Sequence, residues 1–112
     1  MADLATSAVT LERAWSEGGT HGKDLSCRLV TLVLTGQGGT TNRILASVLQ
    51  LSKIEQATNF IDSANAGVII ANPSYDGSML LLANLEQVTD ANRADPADVT
   101  GVTVRGVVKG YL

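Results

Sequence analysis

The chain has 112 residues and a formal net charge of -3, from 8 basic and 11 acidic side chains. Only 17% of its residues are charged and 45% are hydrophobic, whereas a typical soluble domain is about 25% charged. This composition excludes a disordered chain and a basic nucleic-acid-binding surface. No apolar run approaches the roughly 20 residues of a membrane span. The length predicts a single domain over residues 1–112.

The first third of the chain is predicted to form two strands joined by a glycine-rich turn. Residues 8–15 alternate as a strand does, with one face formed by Val9, Leu11, Arg13 and Trp15. Residues 25–35 predict a second strand, whose later part is apolar on both faces. Such a strand is covered on both sides, by the core and by a second layer or a neighbouring subunit. We therefore expect Leu32 or Val33 at an intersheet or intersubunit surface.

The middle of the chain contains one ambiguous segment and one clear hairpin. Residues 44–51 favour a two-turn helix, with a strand as the alternative. Residues 53–61 alternate imperfectly, and their expected buried members are Ile54, Ala57, Phe60 and Ile61. Residues 72–78 combine Asn-Pro and Asp-Gly between two apolar runs, 68–71 and 79–83, which predicts a turn within a hairpin.

The C-terminal part is predicted to contain a surface loop and a final strand. Residues 89–101 hold three aspartates and a proline and favour a loop. The last strand runs from Val102 to Val108, and its change of phase at Gly106 predicts a β-bulge. The chain thus has about six strands in all. This pattern indicates an all-β, mainly antiparallel β-sandwich or small β-barrel, with one possible short helix at 44–51.

Three segments contain residues of the types that carry chemistry. Residues 34–41 are glycine-rich but lack the lysine and the third glycine of the phosphate-binding motifs, so a tight turn is favoured. His21 and Cys27 are the only histidine and cysteine. A Cys–His nucleophilic pair is less expected than a buried structural cysteine, and the two side chains cannot supply the ligands of a zinc site.

The third segment is the acidic cluster Asp90, Asn92, Asp95 and Asp98. Ala94 occupies a ligand position of the EF-hand pattern, and the glycine and glutamate of that pattern are missing. A solvated loop is favoured, and irregular cation binding stays open. We therefore expect no catalytic, cofactor-binding or metal-binding residues.

Two further residues are notable for their places in the predicted strands. Glu12 lies mid-strand, and an exposed cross-strand partner such as Arg28 is the favoured explanation of its charge. Trp15 lies near a strand end and could be an interface anchor, but the main core aromatic is favoured.

Several segments occur in a characteristic order. They are SAV at 7–9, Trp15 with EGGT at 17–20, LVLTGQG at 32–38, ASVLQLSKI at 46–54, PSYDGS at 73–78, PADVTG at 96–101 and KGY at 109–111. Taken together, they resemble small accessory virion proteins of tailed bacteriophages, in particular capsid decoration (cement) proteins. The similarity is one of general form over most of the chain and involves no diagnostic motif. Some decoration proteins carry a long ordered N-terminal arm, and residues 1–6 would be a short one at most.

The resemblance implies a non-enzymatic structural protein that is made in the host cytoplasm and sits on the capsid exterior of the virion. Its partners would be the major capsid protein and further copies of itself, as a homo-oligomer that is often a trimer. No cofactor, nucleic acid or membrane is implied. Another structural component (head–tail completion, tail or fibre-associated) is the alternative, and a small ligand-binding barrel or enzyme is less expected. The candidate interface residues are Trp15, Leu32, Val33, Tyr75 and Tyr111.

Overall fold

The computed structural model describes residues 2–4, 8–18, 24–36, 41–62, 69–87 and 99–112. These ranges contain nine strands and one 3₁₀ helix, Ala46–Leu49. The strands are β1 (Ala2–Asp3), β2 (Val9–Glu17), β3 (Leu25–Val33), β4 (Asn42–Leu45), β5 (Lys53–Ala57), β6 (Phe60–Asp62), β7 (Ile69–Tyr75), β8 (Met79–Gln87) and β9 (Thr103–Tyr111).

All nine strands belong to one sheet that curls into a half-barrel. Its order is β1-β4-β8-β7-β6-β9-β3-β2, and β5 also pairs with β9. Among the described pairs, only β1 and β4 run parallel. The prediction of an all-β, mainly antiparallel fold is confirmed.

One face of the sheet carries an aliphatic core around a single large ring. Phe60 is fully buried there, and burying such a side chain contributes about 1.5–3 kcal/mol. Its fully buried neighbours in the core cluster include Val30, Leu32, Ile44, Leu49, Leu80, Leu82, Val104 and Val108. The core is therefore assembled from nearly every strand of the sheet.

The prediction of a β-bulge at Gly106 is wrong. Strand β9 pairs with β3 without a register shift, and Gly106 lies opposite Val30. The glycine instead makes room for the core ring, because a Cβ at this position would lie 2.7 Å from Cδ1 of Phe60. The register shifts lie elsewhere, between Leu11 and Arg13, Ile54 and Gln56, and Asn72 and Ser74.

The shift in β2 divides residues that were predicted to share one face. Val9 and Leu11 pair with Leu32 and Val30 and pack against the core. After the extra residue, Arg13 pairs with Leu29 and points to the opposite side of the sheet. The single-face prediction for this strand is therefore wrong beyond Leu11.

The remaining elements agree with the predictions in part. Residues 44–51 contain the end of β4 and a 3₁₀ helix, so neither the two-turn helix nor a continuous strand is correct.

The hairpin is confirmed, but β7 continues through Pro73. A bulge lies at this proline, where its missing N–H removes no regular ladder bond. Ile61 is 45% exposed instead of buried. Most of the predicted loop, residues 89–98, lies outside the described residues.

Candidate interaction surface on the outer face of the sheet

The side of the sheet opposite the core forms a partly apolar surface, which we call the outer face. Directly paired residues on neighbouring strands point to the same side, so the register defines its members. They are the alternate residues of β3 from Leu25 to Val33 and of β9 from Thr103 to Tyr111, with Thr10, Arg13, Trp15 and Glu17 of β2 and Ile61 of β6.

A shallow groove of about 430 Å³ lies on this face and is lined by Leu29, Ile61, Arg105 and the backbone of Gly106. On the side of β9 away from β3, the paired strand changes from β5 to β6, and the groove lies at this change. Strand β5 pairs with β9 down to Val108, and β6 pairs with it from Arg105. Between these pairings, Thr58 bridges the gap by hydrogen bonds of 2.9 Å to the backbone of Val107.

Among the described residues, the outer face carries one neutralised cation and two cations without a partner. Lys109 Nζ donates to Glu17 at 2.9 Å and 3.1 Å, and this hydrogen bond lowers the pKa of Glu17 and raises the pKa of Lys109. Arg13 and Arg105 are exposed, and neither forms a hydrogen bond or ion pair with the described residues. The face is thus locally positive on an acidic chain.

Cys27 is fully buried, but on the outer side of the sheet and not in the core cluster. It lies in one cross-strand row between Trp15 on β2 and Lys109 on β9. Burial raises the pKa of its thiol, which disfavours the nucleophilic thiolate. His21, the proposed partner in a Cys–His pair, lies outside the described residues.

The structure places three of the five candidate interface residues on the outer face. Trp15 and Tyr111 are half-buried there, and Val33 is 40% exposed. The prediction that Trp15 is the main core aromatic is therefore wrong, since Phe60 fills that place. Leu32 is fully buried in the core of the chain, so its side chain is not presented to a partner. Tyr75 is exposed at the end of the β7–β8 hairpin, away from these rows.

The residues that line the groove were not among the predicted interface residues. The available signal was the second apolar face of residues 25–33, on which Leu29 lies. Ile61 and Arg105 come together with Leu29 only through the pairing of β6, β9 and β3.

Arg28 is not the exposed partner of Glu12 that the alternation predicted. It pairs with Ala14 and is only 6% exposed on the core side. Its guanidinium donates to the carbonyl oxygens of Cys27 at 3.0 Å and Gln50 at 3.3 Å, and its buried Nε has no hydrogen-bond partner. No carboxylate of the described residues neutralises this charge.

Comparison of the chain with protein-family models, with curated proteins and with solved structures yields no match.

Within the described ranges, no helix is long and apolar enough to cross a membrane. The same ranges contain no group of three His, Cys, Asp or Glu side chains that could hold a metal ion. The acidic segment Asp90–Asp98 lies outside the described residues.

Proposed function

We propose that the chain is a structural virion protein of a tailed bacteriophage, a decoration protein that binds the major capsid protein on the outside of the head. The observation that carries this proposal is the outer face, a four-strand surface on which apolar side chains remain exposed. The resemblance of the sequence to decoration proteins supports the same function. Cementing a shell depends on contact area and complementarity and not on catalytic groups.

The size of the outer face favours an oligomer. The nine-residue strands β2, β3 and β9, spaced about 4.8 Å apart and each about 30 Å long, present roughly 430 Å², and the three-residue strand β6 adds about 50 Å². A stable interface buries about 800 Å² on each partner, so one copy binds weakly through this face alone. Linking several copies, for example as a trimer, multiplies the contacts and raises the avidity.

The proposal is tested by locating the protein in phage particles. An antibody against the purified chain is applied to gradient-purified virions, and gold labelling is viewed by electron microscopy. We expect label distributed over the head and a native mass that corresponds to an oligomer. Label confined to the tail or the head–tail junction supports the alternative structural roles, and unlabelled particles overturn the proposal.

A matched pair of aspartate variants separates binding from folding. Val33→Asp changes an exposed residue of the outer face, whereas Leu32→Asp places a carboxylate in the core. We expect Val33→Asp to remain folded and lose head binding, and Leu32→Asp to unfold or precipitate because an unpaired charge is buried. Circular dichroism and head-binding assays measure the two effects. Full head binding by Val33→Asp places the contact elsewhere.

A further inference from the structure

We infer that the groove of the outer face binds an extended acidic segment of the partner protein, with an apolar side chain in the groove and carboxylates against Arg13 and Arg105. The identity of that partner as a capsid protein rests on the proposed function. The chemistry of the segment rests on the charges and spacing of the outer face.

The charges of the face select an acidic ligand. Other cations near this side of the sheet are neutralised within the chain, since Lys109 pairs with Glu17 and Lys53 pairs with Glu55, each at 2.9 Å. Arg13 and Arg105 have no carboxylate partner in the part of the chain that the structure describes, and guanidinium groups form bidentate hydrogen bonds with carboxylates.

The spacing of the two arginines matches an extended chain. Arg13 and Val107 flank Leu29 in one row, and Arg105 lies two residues from Val107 along β9. The Cα atoms of the two arginines are therefore separated by two inter-strand spacings in one direction and by two residues of strand rise at right angles to it. Together these distances place the two Cα atoms about 12 Å apart. An extended segment covers this distance in about four residues. Its residues i, i+2 and i+4 point the same way, so two carboxylates can flank one apolar side chain.

The same charges disfavour a second copy of this chain as the occupant. Two copies packed outer face to outer face would bring four unneutralised arginines together. The one carboxylate that the described part of this face presents, Glu17, is already bound to Lys109. A partner that supplies its own carboxylates fits the face better.

The test is an NMR titration of the ¹⁵N-labelled protein with a synthetic seven-residue peptide. The capped peptide has glutamate, leucine and glutamate at its second, fourth and sixth positions and threonine elsewhere. We expect saturable shifts of the amides of Leu29, Ile61 and Arg105, with binding that weakens as salt is added. A peptide with lysine in place of glutamate, and one with serine in place of leucine, should bind far more weakly.

Single charge reversals provide the protein controls. Arg105→Glu should raise the Kd at least about tenfold, whereas Lys53→Glu, with the same change in net charge outside the groove, should leave it nearly unchanged. Circular dichroism should show both variants folded, because both side chains are exposed.

Four results overturn the inference. Three of them are equal binding of the lysine peptide, no saturable shifts, and shifts confined to other strands. The fourth is a shift of the groove amides that depends on protein concentration without peptide, which assigns the face to a second copy. The gold-labelling result is independent of this titration. The ligand chemistry and the location in the virion can therefore fail separately.

Discussion

The contact between Gly106 and Phe60 yields a quantitative prediction about the centre of the sheet. A Cβ at residue 106 would lie 2.7, 2.8 and 2.9 Å from three ring atoms of Phe60. Ordinary contacts begin at 3.4 Å, so the closest overlap is about 0.7 Å, against a side chain that is fully buried. Overpacking of this kind costs about 1–3 kcal/mol. The entropic benefit of alanine over glycine offsets about 0.5–1 kcal/mol of this. We expect Gly106→Ala to lower the free energy of unfolding by about 1–2 kcal/mol.

Removing the ring should remove the penalty. Phe60→Ala alone should cost about 3–5 kcal/mol, and in that background Gly106→Ala should be neutral or stabilising, because the new methyl group enters the cavity. The double-mutant cycle should therefore show a coupling of about 1–3 kcal/mol. Gly18→Ala is the matched control, since a Cβ there has no atom within 4 Å.

Urea unfolding at 25 °C followed by circular dichroism measures all four free energies. For a domain of this length, a loss of 1 kcal/mol corresponds to about 4 °C in Tm. If Gly106→Ala costs the same with and without the ring, contact with Phe60 is not the reason for a glycine at this position, and the reasoning is refuted.

Three other predictions concern the charged and titratable groups. Arg28→Met should leave stability unchanged or raise it by up to about 2 kcal/mol, because no described carboxylate loses a partner; a loss above about 3 kcal/mol in urea unfolding contradicts this. The hydrogen bond from Lys109 lowers the pKa of Glu17 in the folded protein. This bond therefore stabilises the fold at pH values above the pKa of a glutamate in the unfolded chain. The stabilisation is lost as the pH falls through the lower, native pKa of Glu17. Lys109→Met should therefore raise the pKa of Glu17 measured by NMR. Cys27, whose pKa is raised by burial, should react with an aromatic disulfide reagent only as fast as the protein opens; native reactivity equal to that of the unfolded chain refutes this.

The hairpin and the strand class were predictable because their signals are local. Asp76 accepts hydrogen bonds from the Ser78 and Met79 amides at 2.8 Å and 3.1 Å, which is the turn chemistry that an Asp-Gly pair indicates. The alternation of residues 8–15 and 25–35 likewise needs only the two-residue period of a strand. These signals suffice for an all-β fold but not for the order of its strands.

The faces of the strands were not predictable in the same way. One extra residue after Leu11 moves Arg13 and Trp15 to the outer face, and a bulge of this kind leaves no clear mark in the amino-acid pattern. The exposure of Ile61 likewise depends on strand pairing. Its strand, β6, is short and pairs with β9 beside the groove that Gly106 lines.

The sequence by itself determined that the chain is poor in charged residues, that it forms β-strands, and that it makes a turn at residues 76–78. Composition, alternation and turn chemistry are properties of neighbouring residues and need no fold. Only the tertiary structure decided that Leu32 lies in the core and Val33 on the surface, and that Leu29, Ile61 and Arg105 form one groove. Those facts depend on the pairing of β3, β6 and β9, which come from distant parts of the chain and meet only when the sheet forms.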